Sequence, residues 1–89
     1  MWNVKLTPQA QRELKGLDED IRDDAVSLLL DLQDGIFPSN KVQLENYERY
    51  ERVKFARNEF RLVYRINRKH KTILVTRIRP RDKDTYSGL

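Results

Sequence analysis

The sequence predicts an α+β fold in the order β-α-α-β-β-β, with a helical hairpin packed on one face of a mostly antiparallel sheet. Three observations point to it. Apolar residues recur at three- and four-residue spacing in the first third of the chain and alternate with polar ones from Arg52 onward. Cap and turn residues stand where the period changes. The length, 89 residues, suits a single domain spanning 1–89 with one modest core.

Trp2, Val4 and Leu6 alternate with Asn3 and Lys5, the pattern of a short half-buried strand. Thr7 and Pro8 read as an N-cap followed by proline at the first helical position. A first helix is expected over Pro8 to Lys15, with Ala10, Leu14 and Leu17 inward and Gly16 as its stop. Asp18 can cap a second helix, with Glu19 and Asp20 in the first turn, where the helix dipole favours negative charge. Ile21, Ala25, Leu28, Leu29 and Leu32 give that helix its inner face, and Asp34-Gly35 ends it. Asp20, Asp23, Asp24 and Asp31 fall on the polar side, as a solvated face.

Ile36 to Glu48 reads as a connector in which Leu44 and Tyr47 tuck under the sheet. Three strands follow: Arg52 to Phe55, Phe60 to Ile66, and Lys71 to Ile78. Arg57-Asn58-Glu59 fits a tight turn in which Asn58 tolerates a positive φ, and Asn67 to His70 is a second turn. Short turns imply antiparallel neighbours. The sheet partner of the first strand is not legible. The tail from Pro80 has no clear period, with one short helical turn expected over Asp82 to Ser87.

Charge is divided unevenly. Residues 1–48 carry five Lys/Arg against ten Asp/Glu, whereas residues 49–89 carry thirteen against four. The second half is therefore a strongly basic surface of the kind that attracts polyanions, nucleic acid above all. The chain has no cysteine and one histidine, His70, which excludes a disulfide framework, a thiolate zinc site and a histidine-rich metal centre. His70 sits in the charged turn Arg68-Lys69-His70-Lys71 and reads as solvated. No signal peptide and no apolar run of membrane-spanning length is evident, so a cytoplasmic protein without a membrane partner is expected.

If Phe55 and Leu62 face the helices, alternation places Arg52, Lys54, Arg61 and Arg65 together on the open face. Arg77, Arg79 and Arg81 end the last strand, and Tyr86 follows. Metal-free RNA cleavage needs little more. A base removes the 2′-hydroxyl proton, fixed cations stabilise the charge growing on the phosphorane, and a donor protonates the leaving 5′-oxygen. Guanidinium suits the second task because it grips phosphate bidentately and stays charged. Lys and Arg are also ordinary on an exposed sheet face. The residues alone leave catalysis, plain binding of nucleic acid or an acidic partner, and a solvated face all open.

Phe60-Arg61-Leu62-Val63-Tyr64 resembles the "YRLVY" strand of the RelE/ParE superfamily of bacterial type II toxins. Arg52-Val53-Lys54 resembles that family's basic strand, and Ile78-Arg79-Pro80-Arg81 with Tyr86 resembles its C-terminal motif. Leu44 falls where the family has a leucine before the sheet. The resemblance covers essentially the whole chain and implies the RelE-like fold. For RelE-like members it further implies a ribosome-dependent endoribonuclease that cuts mRNA by metal-free 2′-hydroxyl attack and arrests translation, with no cofactor. It implies as partners a cognate antitoxin, the ribosome with its mRNA, and operator DNA only through the antitoxin complex. ParE-like members share the fold but inhibit DNA gyrase.

By matching position, the resemblance assigns Lys54 to phosphate stabilisation or base duty, and Arg61 and Arg81 to the scissile phosphate. Tyr86 becomes the general base or a stacking residue. Arg52 takes the place of the other member of the basic pair beside Lys54, and it is read with Arg65, Arg77 and Arg79 of the same basic face as RNA-binding. The chain departs from the family pattern at Arg52, often a lysine, at Pro80, a histidine in many members, and at Arg79 and Glu59, each replacing a glycine. Three functions are therefore carried forward: the mRNA endonuclease first, then a gyrase inhibitor, then a non-catalytic basic RNA-binding module.

Overall fold

A computed structural model describes residues 1–44 and 49–81 of the chain. Its elements run β1 (Asn3–Leu6), α1 (Pro8–Lys15), α2 (Glu19–Gln33), β2 (Val42–Gln43), β3 (Tyr50–Phe55), β4 (Phe60–Asn67) and β5 (Thr72–Pro80). The five strands form one sheet in the order β1-β5-β4-β3-β2. β1 pairs with β5 in parallel and the other neighbours pair antiparallel. The β1–β5 pairing supplies the partner that the sequence left open.

Local signals explain the helices. The Thr7 hydroxyl accepts from the Ala10 N–H at 3.1 Å, and Pro8 opens α1, where its missing N–H costs nothing. Asp18 occupies the N-cap position of α2, but its side chain makes no capping hydrogen bond. Gly16 closes α1 with φ −82°, a right-handed conformation, so it stops the helix without the left-handed turn that glycine usually supplies. Gly35 does adopt that turn, at φ 77°. A Cβ there would meet the Trp2 indole at 3.4 Å, and Trp2 in turn stacks edge-on against Phe37 with centroids 5.4 Å apart.

The helices bury Ala10, Ala25, Leu28 and Leu32 against Val53, Phe55, Leu62, Tyr64, Ile66, Ile73, Val75 and Ile78 of the sheet. Truncating a fully buried member such as Leu32 removes about 2–5 kcal/mol. The acidic residues Asp20, Asp23, Asp24 and Asp31 are exposed, as the helical period requires.

Three details differ from the expectation. The connector contains β2, whose two residues pair with Arg52 and Glu51. So short a strand owes its existence to the ladder partner, and nothing local announces it. β3 begins at Tyr50 and β5 extends to Pro80, which pairs with Phe60 at the hairpin end of β4. The β3–β4 turn holds Ala56, Arg57 and Asn58 all at positive φ (51°, 59° and 67°), where only Asn58 was expected to adopt it. Leu44 is buried as expected. Tyr47 and the Asp82 to Ser87 turn lie outside the described residues. No described helix is long and apolar enough to cross a membrane.

Candidate nucleic-acid interface

The face of the sheet away from the helices is set by register and by one irregularity. Val53 pairs with Leu62 and Phe55 with Phe60, so these side chains share the helix face. Arg52, Lys54, Arg61 and Arg65 consequently share the opposite one, as alternation predicts. On β5, Ile73 and Val75 face the helices, and unbroken alternation would carry Arg77 and Arg79 into the core. The register shifts instead: Tyr64 pairs with Val75 and Val63 with Arg77, leaving Thr76 as an extra residue. Thr76 Oγ1 donates to the Val63 carbonyl at 3.4 Å. This bulge returns Ile78 to the core and re-aims Arg77 and Arg79.

Two rows of cations result. Lys54 pairs with Arg61 and Arg61 with Arg79, a continuous row across β3, β4 and β5. At a strand spacing of about 4.8 Å, that row spans about 10 Å of backbone. The neighbouring row places Arg52 and Arg77 on either side of Val63. Val63 is fully buried although it lies outside the main core, a position suited to cover by long cationic stems. Arg65, opposite Tyr50, is exposed.

The members of these rows differ in freedom. Arg61 is only 5% exposed, and its Nη1 donates to the carbonyls of Asn58 at 2.6 Å and Phe60 at 3.0 Å. It thus braces the strained β3–β4 turn from within the row. Arg77 Nη1 donates to the Thr76 carbonyl at 3.1 Å. Arg79 is drawn to α1, where its Nε donates to Glu13 Oε2 at 2.9 Å and its Nη2 contacts the same oxygen. The Arg81 N–H donates to the Glu59 carbonyl at 2.8 Å, which carries the ladder past the strand and leaves the Arg81 side chain exposed beside the turn. Lys54 is half-buried. The structure therefore brings together Arg52, Lys54, Arg61 and Arg77, with Arg79 in the same ladder row but turned onto Glu13, and with Arg65 and Arg81 at the margins. Tyr86 lies outside the described residues.

Two carboxylates that sequence reasoning passed over organise this surface. Glu13 accepts the Ile78 N–H at 2.9 Å as well as holding Arg79. Beyond Val75, β5 no longer has β1 beside it, and Glu13 satisfies the exposed strand edge in its place. Glu51, 4% exposed, accepts from Tyr64 Oη at 2.6 Å, Lys41 Nζ at 3.1 Å and Arg68 Nη2 at 3.1 Å. Burial pushes its carboxyl upward, but hydrogen bonds from Tyr64 and Lys41, the Lys41 charge and the Arg68 hydrogen bond together bring it below the ordinary value. Burial raises the Tyr64 hydroxyl, and the adjacent Glu51 raises it further. A sequence signal existed for both carboxylates. Position 13 is in phase with Ala10, Leu14 and Leu17, and position 51 with Val53 and Phe55.

Comparison with known proteins places this arrangement. Residues 4–85 match the family model of the ParE toxin of type II toxin-antitoxin systems, parDE. No curated protein matches significantly by sequence. Among solved structures, the chain is similar to the toxin–antitoxin complex RelBE2 of Mycobacterium tuberculosis, with 25% identity and a TM-score of 0.73 over 90% of this chain and 98% of that one. It is also similar to the archaeal RelE–RelB complex of Pyrococcus horikoshii, with 20% identity and a TM-score of 0.73 over 92% and 97% of the two chains. An arginine-substituted E. coli RelE toxin in the free state superposes with a TM-score of 0.80 at 16% identity, over 97% and 90%. The last two likenesses are of fold.

Proposed function

Since this chain belongs to the ParE toxin family of type II toxin–antitoxin systems, in the RelE/ParE superfamily, we propose that it acts as a ribosome-dependent endoribonuclease that cuts mRNA and arrests translation. The observation that carries this reading is the cationic row. Lys54 stands directly across from Arg61, with Arg52 and Arg77 alongside and Arg81 exposed at the end of β5.

In the proposed reaction a 2′-oxygen attacks the adjacent phosphorus after losing its proton to a base. The 5′-oxygen leaves with a proton from a donor, and a 2′,3′-cyclic phosphate and a 5′-hydroxyl remain. The chain's part is to hold the phosphate and to stabilise the charge that develops on its oxygens. Arg61 and Arg81 take that role. Lys54 either joins them or serves as the base, and Tyr86 is either the base or a stacking platform. No cofactor enters. The proposed partners are the ribosome with its mRNA and a cognate antitoxin, with operator DNA reached only through the antitoxin complex. The cationic face suits an acidic antitoxin segment by charge complementarity.

Gyrase inhibition is the second reading. Its support is that the matching family model is the ParE toxin, and that Pro80 stands where many RelE-like members have a histidine. A non-catalytic basic module comes third.

Induction of the chain in bacteria, with protein and DNA synthesis followed separately and primer extension on a translated message, tests the order. Lost protein synthesis with new cuts inside coding regions is expected. Continued translation with falling DNA synthesis would transfer the reading to gyrase, and no effect on either would favour the binding module. Arg81→Ala is the sharper variant, because its side chain is exposed. It is expected to lower cleavage about 100-fold or more with unfolding unchanged. Full cleavage by Arg81→Ala would remove Arg81 from the site. Arg61→Ala would disturb the turn as well as the row.

A further inference from the structure

The sheet has a second cationic region, at the end remote from the Lys54–Arg61 row. The β4–β5 turn carries Arg68, Lys69, His70 and Lys71, all exposed. Arg49 lies beside it. The Arg49 carbonyl accepts the Ile66 N–H at 2.7 Å, and the residue is held at φ 70°, so its backbone is fixed against β4. Arg49, Arg68 and Lys69, with Ile66 and Asn67, line a shallow cavity of about 320 Å³, and none of these described residues is acidic. Arg68 is preorganised: Nη2 is anchored on buried Glu51 while 65% of the side chain stays exposed. The turn is braced too, since Asn67 Oδ1 accepts the His70 N–H at 3.1 Å.

We infer that this cavity is a second phosphate-binding site, which grips the RNA backbone away from the reacting phosphate. Three cations converging on one concavity fit a phosphodiester, whose oxygens accept from guanidinium and ammonium donors. Asn67 stands six positions along β4 from Arg61, about 20 Å along the strand. A polynucleotide running around the end of the sheet can bridge that distance, whereas a mononucleotide cannot. The choice of RNA as the polyanion rests on the proposed function; the site itself does not.

The test is binding of a fluorescein-labelled single-stranded RNA with 2′-O-methyl riboses, which blocks cleavage by 2′-attack, across a salt series. The variant is Arg49→Asn with Lys69→Gln. Asparagine tolerates the left-handed backbone at 49, and Arg68 is left in place to keep its bond to Glu51. Loss of two phosphate contacts is expected to weaken binding roughly tenfold and to reduce the log–log salt slope by about 1.4. The control is Lys5→Gln with Lys15→Gln, two exposed cations of β1 and α1. It removes the same charge and is expected to leave the slope unchanged. An equal loss in the control would reduce the effect to net charge and overturn the site. So would unmoved RNA affinity, including the case in which only antitoxin binding weakens. Because cleavage is never read, loss of the nuclease function and loss of this site remain separate results.

Discussion

Glu51 and Glu13 both stand in phase with an apolar face, yet the fold treats them differently. Glu51 is closed off at the end of the core, and its donors come from three places: the segment before β2, the middle of β4, and the β4–β5 turn. It gathers three neighbouring segments of the second half of the sheet, none more than 17 residues from it, into one cluster. Glu13 is one-fifth exposed and joins α1 to β5 across 65 and 66 residues of chain, satisfying an N–H at the unpaired edge of β5 and neutralising Arg79. An enclosed carboxylate acts as structure because it is itself removed from water; Glu51 and the buried Tyr64 depend on each other and on the cations that reach in from the surface. A carboxylate at an edge instead regulates how much of the adjacent positive charge faces outward.

The largest effect that would break this comparison is at Glu51. Glu51→Ala leaves the buried Tyr64 hydroxyl without its acceptor, while Lys41 and Arg68 can turn to water, and is expected to cost about 2–4 kcal/mol in denaturant unfolding. A loss below about 1 kcal/mol would show that water replaces the carboxylate, placing Glu51 with Glu13. Tyr64→Phe comes next. It removes the buried hydroxyl that donates to Glu51 and should cost about 1–3 kcal/mol.

Acid sharpens the same contrast. A carboxyl whose folded pKa is depressed contributes stability that is fully present above the unfolded value and is lost as pH falls through the folded one. For Glu51 the loss begins as pH drops past about 4.5 and continues below it. Comparing wild type with Glu51→Gln across that window should show a steeper decline in the wild type. Parallel curves would mean that Glu51 gains nothing from its donors.

Glu13→Gln is the smallest change, expected to cost about 1 kcal/mol or less, since the amide oxygen still accepts from the Ile78 N–H. Its informative readout is affinity for RNA. Releasing Arg79 should tighten binding a few-fold and steepen the salt slope. If Glu51→Gln tightened binding equally, the distinction between the two carboxylates would disappear.

Much of the molecule was written into the sequence by itself. The three- and four-residue spacing defined both helices, Thr7 and Pro8 set the start of α1, and alternation in β3 and β4 sorted Val53, Phe55, Leu62 and Tyr64 from Arg52, Lys54 and Arg61. These are local properties, because a regular backbone repeats every 3.6 or 2 residues and any apolar face must follow that period. The tertiary structure alone decided what depends on distant partners. It paired β1 with β5, recruited Val42–Gln43 as an edge strand, and bulged β5 at Thr76 so that Arg77 and Arg79 leave the core. It also turned Arg79 onto Glu13 and gathered Lys41, Tyr64 and Arg68 around Glu51. Periodicity placed each of those side chains on a face. What it met there was determined by strand register and by chain segments brought together only when the core closed.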